Sequence, residues 1–503
     1  MILAVVFLAA LIVRAAAVVN SDFPINDGGL FLAMIDELER QGGWLPNHVS
    51  SNGHQIPFAY PPLGFYLTSA VATVTGIDTL LVMRVLPTVL SAVAAALVAA
   101  IGMTLLRSAA GSVAAGLTYA FAPAAFSWAI AGGGVTRAPG IALGLTTLWL
   151  LLRLPNKPTH VSAGLLGLAT GATILTHPAS AAFTALSAAF LLVAAMRSKQ
   201  TNLKGSGHHL IAAAAVGVVV VAPWAAAVMA EHGPRIFVEV ASNGPDPEVA
   251  LITLVAGRVT GLGSDPLGLV IAGGAIMSAL RGRFLLPAWV LMSSFLGSQY
   301  AIVAGSILVG SLVADAIRMG NGSAKFSRLG GRAVVGVIVT LIAVEAGAGV
   351  GASTVEASHL HALSADRRDA MAWISSNTPP DATVVVLTGD HWSTDPDSEW
   401  FFVVAHRTSV ATVQGQEWLG RAAYARASDR YAKLQRCTVS VACLDSWLRD
   451  NSADYLFIPK GRRHGPHSPV DCCPGIREEI MKSESHKVVY DRAGATIVRL
   501  RVP

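Results

Sequence analysis

Long apolar stretches separated by short polar connections occupy the first 350 residues of the chain. Residues 1–19 are apolar and about as long as one bilayer crossing, which takes ~20 residues. Further apolar stretches follow at residues 80–106, 109–130, 138–154, 161–177, 179–196, 209–229, 266–281, 284–298, 300–317 and 333–350. The pattern predicts about eleven transmembrane helices. We interpret the first as an uncleaved span, because it lacks the positively charged n-region of a signal peptide.

One long polar segment, residues 20–62, interrupts this pattern. A short helical stretch lies within it, and a second begins where it ends. In residues 29–41, Leu30, Met34 and Leu38 share one helical face, which predicts a helix lying along the membrane surface. Residues 60–76 are apolar but short, and they open with two prolines. We therefore predict two juxtamembrane helices here and no second span.

Charge supports this topology. Only 13% of the residues are charged, against about 25% in an average soluble chain. The net charge of +5 does not point to nucleic acid, because the basic residues lie in short loops between apolar stretches. With a cytoplasmic N-terminus, Lys and Arg collect in the inner loops and Asp and Glu in the outer segments, as the positive-inside rule requires. Arg14, near the outer end of the first span, is expected to extend to the membrane surface.

Residues 351–503 have an ordinary composition and form a predicted second domain outside the membrane. Helical and strand patterns alternate there, which favours a layered α/β fold. The predicted helices are 366–377, 398–407 and 417–435, and the predicted strands are 383–388, 408–413, 455–460 and a closing pair near 487–501. The sequence thus predicts a polytopic α-helical membrane domain, 1–350, followed by an extracytoplasmic α/β domain, 351–503. The second domain has no GxGxxG motif and no P-loop, so no nucleotide site is predicted.

All four cysteines lie in this second domain, at Cys437, Cys443, Cys472 and Cys473. An even number of cysteines in an oxidising compartment indicates disulfides, and we expect at least one. A zinc site is the rival interpretation, but Cys437 and Cys443 lack the usual C-x₂₋₄-C spacing.

Within the first 200 residues, the polar segment 20–62 holds five of the six carboxylates and two of the four histidines, which makes that segment the candidate active site. Asp27 and His54 are its main candidates. Plainer roles compete: Asp27 is also well placed to cap the next helix, and His54 to be an ordinary loop residue. Nucleotide sugars and ATP are cytoplasmic, so synthesis on the outer face favours a donor carried by a lipid.

The order of these features resembles the GT-C superfamily of membrane glycosyltransferases, which includes the protein O-mannosyltransferases and the lipid A aminoarabinose transferases. The resemblance is carried by a first span, the Asp27 loop, the PPLGFYL helix, a span opening near Arg84, and the C-terminal domain. Residues 399–418 are similar to the outer domain of uncharacterised bacterial relatives. The resemblance implies a cell-envelope enzyme of the bacterial plasma membrane. It would transfer a sugar, with inversion, from a polyprenyl-phosphate donor to a lipid, glycan or protein acceptor.

The resemblance also implies roles for particular residues. Asp27 matches the first-loop acid and would be the general base on the acceptor hydroxyl. Arg84 and Arg137 would bind the donor phosphate, since Arg grips phosphate in a bidentate fork. His54 and His177 are candidates for substrate binding, although His177 with Pro178 is also placed to end a span. The second outer loop, AGGGVTR, lacks the acid that many relatives carry. A divalent cation, Mg²⁺ or Mn²⁺, is therefore left open as a cofactor, with no ligands assigned.

Three other functions are compatible with parts of the sequence. A polysaccharide polymerase or ligase would use the same type of donor and differ in its acceptor. A transporter would need charged residues at midspan and broken helices near the midplane, of which the sequence has little. A non-catalytic membrane scaffold would explain why the second outer loop lacks the acid that many relatives carry.

The charge pattern makes a topology prediction. A reporter that is active only in the cytoplasm should give a signal when fused after residue 322 and should stay silent when fused after residue 360. The reverse result would contradict both the orientation and the proposed outer location of the second domain.

Overall fold

The computed structural model describes residues 1–19, 23, 28–130, 133–156, 158–198, 206–242, 266–320, 325–359, 363–465, 468–483 and 486–500. The helices of the first part of the chain are α1 (Ile2–Val19), α2 (Gly28–Arg40), α3 (Leu63–Thr75), α4 (Thr79–Leu106), α5 (Ala109–Phe121), α6 (Pro123–Ile130), α7 (Gly134–Arg153), α8 (His160–Ile174), α9 (Pro178–Ser198), α10 (Gly207–His232), α11 (Arg235–Ser242), α12 (Pro266–Leu280), α13 (Leu285–Ser294), α14 (Ser298–Gly320) and α15 (Lys325–His359). A short hairpin, β1 (His48–Ser51) and β2 (His54–Pro57), lies between α2 and α3.

An apolar helix lies at each of the eleven predicted spans, but the number of membrane crossings is not fixed by this. Among the described residues, five helices are long and apolar enough to cross a membrane. The count becomes six if α5 and α6, which meet at a bend of 48°, form one span. Several of the remaining apolar helices are 10–17 residues long, below the ~20 of a full crossing. The protein is thus a largely helical, multi-pass membrane protein. The number of eleven transmembrane helices stays a prediction.

Both short helices of the polar segment form, but α2 is more buried than its sequence pattern predicts. We expected one apolar face on a surface helix, with Leu30, Met34 and Leu38 inward, and these three are buried. Phe31, Leu32, Ala33 and Ile35 are buried as well. The reason is that α2 packs on α3 and also on the C-terminal domain, so the expectation of a one-sided surface helix is wrong.

The expectation that Arg14 reaches the membrane surface is also wrong. Its side chain is fully buried, and the guanidinium donates to the carbonyl oxygens of Ala120 at 2.7 Å and Tyr119 at 3.4 Å. Pro123 has no N–H for the carbonyl of Tyr119, so the bend between α5 and α6 exposes acceptors that need a donor. Arg14 supplies that donor from α1, and it also donates to Ser91 Oγ at 2.8 Å.

The C-terminal residues fold into an α/β domain. Its helices are α16 (Ala365–Asn377), α17 (Pro396–Ala405), α18 (Arg421–Gln435), α19 (Val441–Asp450) and α20 (Pro474–Lys482), and its strands are β3 (Thr383–Val386), β4 (Thr408–Ser409), β5 (Tyr455–Pro459), β6 (Arg462–Gly465), β7 (Ser468–Asp471), β8 (Lys487–Asp491) and β9 (Ala495–Arg499). The main sheet has the order β4-β3-β5-β9-β8, with β3 parallel to β4 and β5 and with β9 antiparallel to β5 and β8. The helix α15 crosses residue 351 without a break, so the boundary predicted there stays a prediction.

The four cysteines of this domain are paired within it. Cys437 is bonded to Cys443, and Cys472 to its neighbour Cys473. The first bond joins the end of α18 to α19, and Cys472 and Cys473 directly precede α20. Each bond therefore lies at a boundary between helix and connection in the C-terminal domain.

Replacing Arg14 by Met should destabilise the fold, because Met fills the space but donates no hydrogen bonds. Each buried carbonyl left without a donor costs about 1–3 kcal/mol. We expect a clearly lower unfolding temperature of the purified protein in detergent. Arg153→Met, which changes an exposed residue at the end of α7, is the control. Equal unfolding temperatures for the two variants would show that Arg14 does not hold the bend.

Candidate functional site

The polar segment meets the helix bundle where α7 begins and α8 ends, and we call this side of the bundle the loop end. Tyr60 Oη and Thr136 Oγ1 are 3.3 Å apart, and the backbone N–H of Leu63 donates to the carbonyl of Leu175 at 2.8 Å. A Cβ atom on Gly64 would overlap the carbonyl oxygen of Val135. The Pro61-Pro62 corner is therefore fixed in close backbone contact with both helices.

Arg137 and His177, two of the predicted site residues, lie at this loop end. Arg137 is in the first turn of α7, with its guanidinium 4.1 Å from the ring centroid of Trp128. His177 follows α8, and its Nδ1 is 3.3 Å from Ser180 Oγ and 3.5 Å from Tyr300 Oη. Ser180 Oγ and Tyr300 Oη are themselves 3.0 Å apart. Arg137 lies about one helical turn before Gly140, which packs directly on His177 and Ser180.

These four residues, Arg137, His177, Ser180 and Tyr300, form what we call the loop-end cluster. It combines one permanent cation with three neutral groups that both donate and accept hydrogen bonds. Such a set suits an anionic, hydroxylated ligand. The sequence analysis missed Ser180 and Tyr300, because a Ser and a Tyr at the ends of apolar helices carry no distinguishing pattern.

An apolar cavity of about 530 Å³ runs beside the loop-end cluster between α7, α8, α9 and α10. Its wall is almost entirely apolar and includes Thr173, Ile174 and Thr184. The face of α7 connects the two sites: Gly140 packs on His177 and Ser180, and one turn later Gly144 packs on Thr184. The cluster and the cavity are thus neighbours along one helix.

Arg84 and His54 have different surroundings. The Nη2 of Arg84 donates to the carbonyl of Val18 at 2.6 Å, so this side chain binds the C-terminal end of α1. His54 pairs with Ser51 in the hairpin, and burial together with the nearby Arg430 of the C-terminal domain lowers the pKa of His54. The surroundings described for His54 thus belong to the hairpin and the C-terminal domain, not to the loop-end cluster.

Asp27, the predicted general base, lies outside the described residues, as does Asp22. The structure places the residue after it, Gly28, which begins α2. The N–H of Leu30 donates to Oε1 of Glu399 at 3.1 Å, and Gly28 packs on the indole of Trp400. The sequence analysis assigned no role to Glu399 or Trp400.

The hairpin was also missed, although Asn52-Gly53 is a strong signal for a two-residue turn. Both residues have positive φ, and the side-chain carbonyl of Asn52 accepts from the N–H of Ser409 at 3.0 Å. Ser409 lies on β4, an edge strand of the main sheet. The polar segment therefore contacts the C-terminal domain at the hairpin tip as well as at the start of α2.

Within the described residues, no three His, Cys, Asp or Glu side chains form a group that fits a metal ion. The acids of the first outer loop, Asp22 and Asp27, are not among those residues. The structure consequently assigns no ligands to a Mg²⁺ or Mn²⁺ ion.

Comparison with solved structures identifies the fold. The chain is similar to ArnT from Cupriavidus metallidurans bound to undecaprenyl phosphate, at 16% identity over 98% of this chain and 97% of that one, with a TM-score of 0.56. It is similar to the apo oligosaccharyltransferase of Archaeoglobus fulgidus, at 12% identity over 91% of this chain and 69% of that one, with a TM-score of 0.61. No protein-family model and no curated protein matches the chain.

A third similar structure is the arabinofuranosyltransferase AftD from Mycobacteria, at 13% identity and a TM-score of 0.56. The match covers 99% of this chain and 40% of AftD. All three are membrane glycosyltransferases of the GT-C superfamily. The resemblance to that superfamily predicted from the sequence is confirmed at the level of the fold.

Replacing Gly64 by Ala should separate α3 from α7, because the new methyl group would overlap the Val135 carbonyl. Overpacking of this kind costs about 1–3 kcal/mol. We expect a lower unfolding temperature in detergent. The matched control is Gly164→Ala, where a Cβ meets nothing within 4 Å and the unfolding temperature should stay the same or rise. A Gly64→Ala protein as stable as the control would contradict the tight contact.

Proposed function

We propose that the chain is a glycosyltransferase that moves a sugar from a polyprenyl-phosphate carrier to an acceptor on the outer face of the bacterial plasma membrane. The GT-C fold supports the reaction class. The observation that carries the proposal is the loop-end cluster, in which Arg137 and three hydrogen-bonding side chains lie beside an apolar cavity and next to the polar segment that contains Asp27.

This arrangement suits a donor that is apolar at one end and anionic at the other. The polyprenyl chain would occupy the cavity between α7, α8, α9 and α10, whose wall offers little hydrogen bonding. The phosphate would lie at Arg137, roughly 15 Å or about three helical turns along α7 from Thr147, where that helix first lines the cavity. The sugar would then project from the loop end toward the polar segment and water, where an acceptor can approach.

The reaction needs a base and a stabilised leaving group. Asp27 would remove the proton from the acceptor hydroxyl as the hydroxyl oxygen forms a bond to the anomeric carbon. The bond between that carbon and the phosphate oxygen breaks, and its electron pair leaves with the polyprenyl phosphate. Arg137, and Arg84 where it reaches the same phosphate, would stabilise the charge that develops there. A single displacement inverts the anomeric configuration. No step is assigned to a divalent cation.

The structure gives the transporter alternative little support. Transporter sites are built from broken helices near the midplane whose exposed backbone binds the substrate. The bent pair α5 and α6 is a broken helix, but Arg14 binds the carbonyls of Ala120 and Tyr119 at the break. These acceptors are already occupied by a side chain of the protein.

The proposal predicts that Asp27→Asn abolishes transfer without unfolding the protein. Loss of a general base costs about 10²–10⁴ in rate, whereas Asn caps a helix as well as Asp does. The donor is the lipid extract of a deletion strain, in which lipid-linked sugars should accumulate, and the acceptor is the envelope fraction of that strain. Transfer is measured by mass spectrometry and normalised to folded protein.

The control for this experiment is Asp22→Asn, which removes an acid from the same loop. Transfer by the Asp27→Asn protein near the wild-type rate would leave Asp27 as a helix cap only. Transfer lost in Asp22→Asn instead would move the base to Asp22.

A further inference from the structure

The first residues of α2, the helix that follows Asp27 in the sequence, are in contact with the C-terminal domain. Leu30 is the third residue of α2, and its N–H is one of the four at a helix start that have no partner within the helix. Oε1 of Glu399 accepts this hydrogen bond at 3.1 Å, across 369 residues of sequence. Glu399 is only 2% exposed, and a carboxylate at a helix N-terminus also interacts favourably with the helix dipole.

The two glycines after Asp27 allow this approach. A Cβ on Gly28 would overlap the indole of Trp400, and a Cβ on Gly29 would overlap the backbone carbonyl oxygen of Glu399. Any larger residue at either position would push α2 away from α17. Gly28 and Gly29 therefore provide the surface on which Glu399 and Trp400 dock.

Trp400 contacts the polar segment on both sides of residues 24–27. Its ring meets Phe23 edge to face, with centroids 4.8 Å apart, and it also lies against Gly28. The guanidinium of Arg368 lies 4.9 Å from the centroid of the same Phe23. Described residues on either side of this four-residue stretch thus contact the same buried indole.

The helix α17, which carries Glu399, is anchored at its start by buried polar contacts. Asp395 caps α17 by accepting from the N–H of Ser398 at 3.2 Å, and it also accepts from Tyr431 Oη at 2.5 Å. Asp397 forms a buried ion pair with Arg367 at 3.1 Å. Arg367 in turn donates to the carbonyl of Lys460 at 3.3 Å, just after the central strand β5. These contacts anchor α17, the helix that carries Glu399, to the sheet of the C-terminal domain.

We propose that Glu399 and Trp400 are positioning residues for the reaction, and that they act by fixing the start of α2, the helix that directly follows Asp27 in the sequence. This proposal rests on the proposed function. The C-terminal domain then takes part in catalysis, because it supplies the surface on which α2 begins. A displacement of about 1 Å at a reacting group can cost 10²-fold in rate, so loss of this contact should lower kcat more than it changes KM.

The first test compares Glu399→Ala with Glu399→Gln, using the lipid extract and envelope fraction named above. Gln keeps an oxygen that accepts from Leu30, whereas Ala does not. We expect kcat to fall at least tenfold in the Ala variant, with half-saturating donor and acceptor concentrations within about threefold of wild type. The Gln variant should recover most of that loss.

Glu479→Ala is the matched control for a general effect on the domain. Oε2 of Glu479 accepts from the N–H of Val441 at 2.6 Å, so it occupies an equivalent place at the start of another helix, α19. This variant should turn over at the wild-type rate. A kcat loss equal to that of Glu399→Ala would reduce the role of Glu399 to general domain stability and overturn the proposal.

The second test uses the contact between Gly28 and Trp400. Gly28→Ala should lower kcat, because its methyl group overlaps the indole, and a second change, Trp400→Phe, should restore part of the rate by removing the overlapping ring atoms. The same second change should not rescue Gly29→Ala, since the overlap there is with backbone. Equal behaviour of the two double variants would contradict the proposed contact.

Hydrogen exchange of the peptide covering residues 28–35 gives a readout that needs no substrate. It should be faster in Glu399→Ala than in wild type and nearly unchanged in Glu399→Gln and Glu479→Ala. Unchanged exchange in Glu399→Ala would overturn the docking itself. If Asp27→Asn is inactive and Glu399→Ala has wild-type kcat, the positioning role is wrong and the proposed function stands. If Asp27→Asn is active, the proposed base is wrong, and so is the positioning role built on it.

Discussion

The structure at the loop end depends on satisfying helix termini away from water. Every helix leaves N–H groups at its start and carbonyls at its end without partners, and in an apolar environment each must find one. Arg14 donates to the carbonyls at the end of α5, Arg84 to the end of α1, and the Leu63 N–H to the end of α8. Glu399 accepts from the start of α2. Each partner comes from a distant part of the chain.

These contacts also decide where chemistry can occur. A charged side chain is costly within the bilayer, so the helix ends are the places where a lipid-embedded chain can keep Arg and His. The backbone hydrogen bond from Leu63 to Leu175 places the Pro61-Pro62 corner beside Arg137 and His177. Gly64 allows α3 to pack against the backbone of α7. The contacts that satisfy the helix ends therefore also bring together the Arg and His side chains of the candidate site.

Local composition was enough to predict most of the helices and strands, although α19 and α20 were not predicted. Apolar length gives a helix at each predicted span, and alternation gives α16, β3, β5 and the β8–β9 pair at nearly the predicted bounds. Predictions failed where a residue's partner is distant in sequence. Arg14 was expected to reach water, because nothing local shows that Pro123 leaves acceptors beside it. Glu399 carried no signal for a partner 369 residues away. The hairpin, by contrast, carries a local signal in the Asn52-Gly53 pair at its turn.

The candidate site shows the same division. Arg137 and His177 were found by type and loop position, while Ser180 and Tyr300, which complete their cluster, could be found only from helix packing. Arg84 was predicted to bind the donor phosphate, and the structure shows its Nη2 donating to the carbonyl of Val18 at the end of α1. Residue type alone marked Arg84 as a candidate, but only the helix packing shows that its guanidinium satisfies a carbonyl at the end of α1. A side chain that residue type marks as a candidate for binding can thus also close a helix end.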